Sequence, residues 1–302
     1  MKKIIILFAV LIPLMCSSQE PLWQGKGRIV LSSDGNEHDH DDWSATALSL
    51  AILASQNMQD KLSVYVYSNH IWGSNRGRPI TNGLNSYENM RQSALGGQKW
   101  FRFGKTNFIC GVDNPEAAFD AVCKEINKSS AKNPLFIIEA GPMQVVGESI
   151  SRADKKKLKY VTLITHSEWN NNHAGKEEGN WDKHTGWDTR WTFNKIKEQF
   201  SSPENGGLTC IKILDQNGGR DYLGLKTNRN EFDWIKTSEY KEKAPDFQKG
   251  SWDWLYSRLQ TFIDCLGGES FDASDAGMIV YLLTGIEKTN PDMVRKLMEK
   301  NK

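Results

Sequence analysis

The stretch "RIVLSSDGNEHDHDDWSATALSLAIL", residues 28 to 53, joins an apolar run to a second apolar stretch through a crowded acidic loop. The run "RIVLSS" is typical of a strand that is buried on both faces. From Trp43 onward, apolar residues recur at spacings of three and four, which is the period of a helix lying on a sheet. The segment that joins the two, residues 32 to 46, contains five acidic residues and two histidines. The chain therefore begins its fold with a strand, an acidic loop and a helix.

The same alternation of strand and helix continues along the chain. Further short apolar runs occupy residues 62–68, 107–111, 134–141, 159–166 and 208–215, and helical patterns occupy residues 43–56, 114–127 and 143–154. Alternating elements predict an α/β fold: a single domain with a Rossmann-like, mostly parallel sheet and helices on both faces. In such sheets, ligands bind outside the carboxyl ends of the strands.

Two later segments break this pattern. Residues 167–192 are rich in Asn, Gly, His and Trp and show neither a helical nor a strand period, so we expect a long loop there. Long loops in compact domains are often functional. Residues 252–300 return to helical patterns.

The N-terminus has the features of a secretory signal peptide. Two lysines precede an apolar stretch of signal-peptide length, and small residues follow it near residue 18. We expect residues 1–18 to be removed and residues 19–302 to form the mature domain, exported to the periplasm or the extracellular space. A lipoprotein attached through Cys16 is the less favoured alternative, because Leu14 and Met15 stand where small residues are expected.

Charge and composition limit the partners. The formal charge of +1 becomes −1 once Lys2 and Lys3 are removed, which argues against a nucleic-acid partner. Pro13 shortens the N-terminal apolar stretch, so we expect no integral membrane segment in the mature chain. The remaining cysteines lack metal-like spacing and predict free thiols. A small-molecule or oligosaccharide substrate is the expected partner, and a homo-oligomer remains open.

The acidic loop predicts a cation site. Carboxylates that converge at the end of a buried strand raise each other's pKa unless a positive charge lies among them. Ca²⁺ accepts six to eight oxygen ligands in irregular geometry, so a carboxylate-rich loop favours it over Zn²⁺. A solvated acidic loop is the alternative, but its place between a buried strand and a helix favours the cation.

The acidic stretch resembles the N-terminal signature of the nucleoside hydrolase superfamily. In that family, an Asp-rich loop that ends in Asp-Asp follows the first strand and opens the first helix. Asn36 and Glu37 ahead of the Asp pair make the stretch more similar to a secreted, nucleoside hydrolase-like branch than to the salvage enzymes. "FIIEAGPMQVVGESI" (136–150) and "FDASDAGMIVYLLTG" (271–285) resemble two later family motifs, so the likeness covers about residues 28 to 285.

The resemblance implies a Ca²⁺ site with defined ligands. Asp34 corresponds to the family's ligand and general base on water, and Asp42 to a second ligand. Gln144 corresponds to a residue that offers its main-chain carbonyl. The late family Asp corresponds to Asp275, with Asp272 as a nearby alternative. The family residue that contacts sugar hydroxyls corresponds to Asp41.

This sequence departs from the family at three places. The acidic loop is longer than in the salvage enzymes, so Asp39 either replaces Asp34 or adds to it as a ligand. Val145 and Ser274 stand where the family has groups that contact ribose or assist the departing base. These departures bear on nucleosides as substrates more than on the metal.

The chemistry fits a broader class of glycosides. Cleavage through an oxocarbenium-like state needs a water nucleophile, a carboxylate base and a group that orients the sugar hydroxyls. Eleven tryptophans favour a sugar ligand, because aromatic faces stack on apolar sugar faces. His166 ends the fifth apolar run and is a candidate general acid. We expect the substrate wall to contain Asn36, Glu168, Trp169 and Asn170.

The sequence therefore predicts an exported, Ca²⁺-dependent hydrolase of N- or O-glycosidic bonds. The main alternative is a non-catalytic, Ca²⁺-stabilised carbohydrate-binding protein on the same fold. A less favoured alternative is an amidohydrolase that binds a transition metal through His38 and His40, which would require an eight-stranded barrel.

Overall fold

The computed structural model describes the chain in seven ranges, which are 20–35, 40–71, 79–172, 191–218, 224–242, 250–267 and 270–299. The predicted signal peptide lies outside them, as do Asn36, His38 and Asp39 of the acidic loop.

Six strands form one parallel sheet in the order β3-β2-β1-β4-β5-β6. Each falls within one of the six apolar runs, so the predicted α/β fold with a parallel sheet is confirmed. The strands are β1 (Arg28–Ser33), β2 (Leu62–Tyr67), β3 (Asn107–Cys110), β4 (Leu135–Ala140), β5 (Val161–Thr165) and β6 (Thr209–Lys212).

Helices cover both faces of the sheet. The helices are α1 (Asp42–Ser55), α2 (Ser86–Trp100), α3 (Pro115–Asn127), α4 (Gln144–Arg152), α5 (Lys155–Leu158), α6 (Glu168–Asn172), α7 (Phe193–Phe200), α8 (Trp234–Thr237), α9 (Ser251–Leu266), α10 (Ala276–Thr284) and α11 (Pro291–Met298). Three short 3-10 turns are Pro203–Asn205, Arg229–Phe232 and Glu239–Glu242.

The apolar runs form strands because their side chains alternate between two cores. Ile29 and Leu31 of β1 pack with α1, α2, α9 and α10, whereas Val30 packs with α3, α4 and α7. Burial on both faces explains why each run is continuously apolar. Helix α1 is buried from its first residue to Ala54, since further helices cover the side that faces away from the sheet. This burial agrees with its apolar residues on every side.

The order of the strands places a crevice beside β1. The chain proceeds outward from β1 to β2 and β3, and then returns to β4 on the other side of β1. Ligands of such sheets bind where the order reverses, outside the carboxyl ends of the strands. Hydrogen bonds link these ends, since Asp34 N donates to Ala140 O (3.1 Å) and Asn69 N donates to Ser33 O (3.0 Å).

The structure corrects two expectations. Residues 168–172 form helix α6, although residues 167–192 were expected to be a loop. Five residues are too few to show a helical period in the sequence. The predicted helical region 252–300 also contains a strand, β8 (Ser270–Asp272), which pairs antiparallel with β7 (Lys226–Asn228). Three-residue strands carry almost no alternation.

Two further findings concern the membrane and the cysteines. Within the described ranges, no helix is long and apolar enough to cross a bilayer. The four cysteines in these ranges are free thiols, as expected, with Cys110 buried and the other three partly exposed.

Candidate functional site

Three aspartates of the acidic loop and a fourth from the start of α10 meet at the carboxyl end of β1. One oxygen from each of Asp41, Asp42 and Asp275 lies within 4.8 Å of the others. The carboxyl of Asp34 is hydrogen-bonded to that of Asp42 and interacts electrostatically with Asp275. The structure thus brings together Asp34, Asp42 and Asp275, the three side chains that the resemblance implied as ligands.

Two helix N-termini position these carboxylates. Asp41 caps α1 by accepting a hydrogen bond from Asp42 N (3.0 Å), and Asp42 is the first residue of that helix. Asp275 precedes the first residue of α10. Ser274 Oγ donates to Asp41 Oδ2 (3.3 Å), which ties the two helix starts together. The positive ends of both helix dipoles therefore point toward the carboxylates and favour negative charge there.

The buried carboxylates resist ionisation when no cation is bound. Burial raises the pKa of Asp34 to about 7, and the neighbouring Asp41 and Asp275 carboxylates add to this effect. Burial and the charge of Asp34 also raise the pKa of Asp42 well above its ordinary value. These acids can all ionise at neutral pH only if a positive charge compensates them.

The donor set fits a hard cation. Asp42 Oδ2 accepts a hydrogen bond from Gly35 N (2.9 Å), but Oδ1 is buried and receives none from a described N–H or alcohol group. A buried carboxylate oxygen without a donor is costly unless a cation contacts it. The clustered ligand atoms are all carboxylate oxygens, which suits Ca²⁺ or Mg²⁺ better than a transition metal.

A cavity of about 320 Å³ opens above the carboxylates. This volume is at the lower end of the roughly 300–1,000 Å³ range of small-molecule pockets. Its wall includes the predicted residues Trp169 and Asn170. The remaining lining residues are Asp34, His40, Asp41, His166, Ser167, Asn217, Lys226, Phe262, Asp272 and Asp275.

His166 lies in the cavity wall with both ring nitrogens engaged. Its Nε2 is 2.6 Å from Asp275 Oδ1, and Gln216 N donates to Nδ1 (3.3 Å). Burial lowers the pKa of His166, but the carboxylates of Asp215 and Asp275 beside the two ring nitrogens outweigh burial and raise the pKa to about 9. In the protonated ring, Nδ1 carries a proton and no longer accepts from Gln216 N. In this arrangement His166 orients Asp275, and donation of a proton to a leaving group would require the Nε2 bond to open.

Asp275 and Asp272 have different environments. Asp272 forms an ion pair with Lys226 Nζ (3.1 Å) and accepts a hydrogen bond from Ser274 N (3.0 Å). Asp275 belongs to the carboxylate cluster instead. The geometry therefore favours Asp275 as the ligand.

Glu168 and Gln144 are separate from the cavity. The side chain of Glu168 is 68% exposed and pairs with Lys212, which lowers the pKa of Glu168. It is not part of the cavity wall, and its predicted role in substrate binding finds no support in this geometry. Gln144 begins α4, and its Oε1 accepts a hydrogen bond from Trp191 N (3.3 Å). Contact of its main-chain carbonyl with an ion stays a prediction.

Two further polar residues lie behind the aspartates, and the sequence reasoning missed them. Asn69 follows β2, and Glu139 lies within β4; neither is accessible to solvent. Asn69 Nδ2 donates to Glu139 Oε1 (2.6 Å). The signal that could have identified Glu139 is a single charged residue inside the apolar run "LFIIEA".

Comparison with known proteins relates most of the chain to an uncharacterized protein. No family model matches it. It is 31% identical over 266 residues to the uncharacterized protein P22 of Formosa agariphila, a match that covers 86% of this chain and 84% of that protein. The chain belongs to the same family as P22. Because the match covers most of both chains, the likeness to P22 extends over the fold and is not confined to one motif.

Proposed function

We propose that the chain is an exported, Ca²⁺-dependent hydrolase of N- or O-glycosidic bonds, on a nucleoside hydrolase-like fold. The observation that carries the proposal is the cluster of Asp34, Asp42 and Asp275 at the point where the strand order reverses, with Asp34 and Asp275 lining a cavity. These three residues lie in the motifs that resemble the nucleoside hydrolases. Asp34 and Asp42 belong to the acidic loop, and Asp275 precedes helix α10.

The residues of the chain take separate parts in this reaction. Asp34 lies on the cavity floor, where its carboxylate can accept a proton from a water. Asp41 is half-buried and faces the same cavity, which suits a hydrogen bond to a sugar hydroxyl. Trp169 offers an aromatic surface on the wall. A bound Ca²⁺ would supply the positive charge that lets these acids ionise and that orients substrate hydroxyls.

A screen of glycosides tests the proposal. The purified mature chain is incubated with Ca²⁺ and a panel of 4-nitrophenyl glycosides and nucleosides, and with excess chelator as the control. We expect hydrolysis of at least one class, dependent on Ca²⁺, and loss of it in Asp34→Asn. Hydrolysis that is unchanged in Asp34→Asn or in chelator would contradict the proposed site.

A non-catalytic, Ca²⁺-stabilised carbohydrate-binding protein is the second candidate. It is favoured by Val145 and Ser274, which stand where the resembling family has groups that contact ribose or the departing base. If this candidate is correct, the chain binds sugars with Ca²⁺ and hydrolyses none of the panel, and Asp34→Asn leaves sugar binding nearly unchanged.

The amidohydrolase alternative finds no support in the described ranges. The sheet there is open, with β3 and β6 at its edges, and is not an eight-stranded barrel. The cluster of potential ligands in these ranges contains no histidine. His40 lines the cavity and contacts the ring of Trp43, and His38 lies outside the described residues.

A further inference from the structure

A buried carboxylate lies behind the aspartates, in the strand next to β1. Glu139 is fully buried in β4, where the other five residues are apolar. Its Oε1 accepts the hydrogen bond from Asn69 Nδ2, and its Oε2 has no hydrogen-bond partner among the described residues. A buried carboxyl group with only one hydrogen-bonded oxygen lowers the stability of the fold. Stability therefore does not explain why a glutamate occupies this position.

The contact with Glu139 decides which way the Asn69 amide faces. Asn69 Nδ2 donates to Glu139 Oε1 (2.6 Å) and to Ser32 Oγ (2.8 Å), so both of its N–H groups are used. Burial raises the pKa of Glu139 well above its ordinary value, but a carboxyl group keeps an acceptor oxygen in either protonation state, so this contact places the NH₂ side of the amide toward Glu139. Asn69 Oδ1 must therefore lie on the opposite side.

Asn69 Oδ1 lies near the carboxyl of Asp34. Asn69 Oδ1 and Asp34 Oδ1 each lie 3.0 Å from the position that a Cβ on Gly141 would take. Asn69 Oδ1 is buried and receives no hydrogen bond from a described donor. Two acceptor oxygens that lie beside the same buried space repel each other unless a proton or a cation is close to them.

The main chain around Asn69 is also fixed. Ser68, just before it, has a φ of +52°, which is uncommon for a residue other than glycine, and Asn69 N donates to Ser33 O (3.0 Å). A strained backbone at this place is typical of functional sites. With the main chain fixed, the rotation of the amide depends on its side-chain contacts.

We propose that Glu139 is a positioning residue, which holds the Asn69 amide so that Oδ1 faces the carboxyl of Asp34 at the cavity floor. The inference rests on the proposed function and adds a residue to that site. In this orientation the Asn69 oxygen lies beside the Asp34 carboxyl at the proposed cation site.

Two substitutions at Glu139 separate positioning from folding. Glu139→Gln keeps an oxygen acceptor for Asn69 Nδ2, whereas Glu139→Leu removes it and fills the same space with an apolar side chain. Glu125→Gln is the matched control, because Glu125 is also a buried carboxylate but pairs with Arg28 and Lys128 away from the aspartates. All variants are made in the mature chain.

Calorimetric Ca²⁺ titration is the first readout. Loss of a group that orients metal-site residues lowers metal affinity about 10- to 100-fold, which we expect for Glu139→Leu. We expect Glu139→Gln to restore the affinity to within a few-fold of the wild type, and Glu125→Gln to leave it unchanged. In chelator, the melting temperature of Glu139→Leu should equal or exceed that of the wild type, since a buried carboxylate has been removed. Wild-type Ca²⁺ affinity in Glu139→Leu would overturn the inference.

The side-chain amide of Asn69 is the second readout and does not depend on the metal. In chelator, its NMR signals, identified by their loss in Asn69→Asp, should be protected from solvent exchange in the wild type and in Glu139→Gln. They should shift and lose protection in Glu139→Leu. A wild type that binds no Ca²⁺ would overturn the proposed function, and unchanged amide signals in Glu139→Leu would separately overturn the positioning role.

Discussion

Raising the pH should destabilise the metal-free protein, which is the opposite of what paired surface carboxylates cause. Burial raises the pKa of Asp34 from its ordinary 3.8 to about 7. The folded state therefore holds this proton over a pH range in which the unfolded chain has lost it. Its contribution to stability is fully present below pH 3.8 and is lost as the pH rises through about 7.

The size of the effect follows from the shift. One pKa unit corresponds to about 1.4 kcal/mol, so the full shift of Asp34 amounts to about 4 kcal/mol. Between pH 5 and pH 7.5, roughly 2 to 3 kcal/mol of this is lost. For a domain of this size, that loss lowers the melting temperature by roughly 3 to 6 °C.

The pH range of the loss distinguishes Asp34 from carboxylates whose pKa is lowered in the folded state. The Arg152 side chain lowers the pKa of Glu116, and ion pairs with Lys128 and Arg28 outweigh burial and lower that of Glu125. Their stabilisation is present above about pH 4.5 and is lost below it, so it is nearly constant from pH 5 upward. His166, with its pKa raised to about 9, adds a loss of stability above pH 6.5 in the same direction as Asp34.

The assay is thermal unfolding followed by circular dichroism at pH 5.0 and 7.5, in chelator and in excess Ca²⁺. Asp34→Asn is the control, because it removes the proton that Asp34 binds but leaves His166 in place. We expect the melting temperature in chelator to fall more steeply in the wild type than in Asp34→Asn, and Ca²⁺ to remove the difference in slope. Equal slopes in chelator would refute the reasoning.

Four further substitutions test the geometry of the site. Asp275→Asn should weaken Ca²⁺ binding about 10- to 100-fold in calorimetry, whereas Asp272→Asn should change it little because Asp272 pairs with Lys226; the reverse order would show that the ligand was assigned wrongly. Gly141→Ala should lower both the melting temperature and the Ca²⁺ affinity, because φ is +148° and the new Cβ would lie 3.0 Å from Asp34 Oδ1; an unchanged variant would contradict the close packing. Glu168→Gln should leave Ca²⁺ affinity and hydrolysis unchanged, since its side chain is exposed beside Lys212; a large loss would return Glu168 to the substrate wall.

The main sheet could be predicted because its strands are buried on both faces. Continuous burial imposes continuous apolar runs, and all six runs became strands. The β7–β8 pair could not be predicted, because two strands of three residues do not show a period. Helix α6 has only five residues, and its Asn-rich sequence is typical of a loop.

The site could be predicted in part. Asp34, Asp41 and Asp42 lie close together in the sequence, so their convergence at a strand end follows from local structure. Asp275 was placed through a resemblance and lies with them in the structure. Asn69 follows β2 and Glu139 lies in β4, and only the parallel pairing of β2, β1 and β4 brings them together. Their hydrogen bond joins residues that are far apart in the chain, so the sequence pattern does not predict it.

Calorimetric Ca²⁺ titration of residues 19–302 and of the Asp42→Ala variant, with metal analysis of the purified protein, shows whether the aspartates form a Ca²⁺ site. We expect one Ca²⁺ bound per wild-type chain and no measurable binding in Asp42→Ala. A transition metal in the purified protein, no bound metal at all, or Ca²⁺ binding that survives in Asp42→Ala would contradict this expectation.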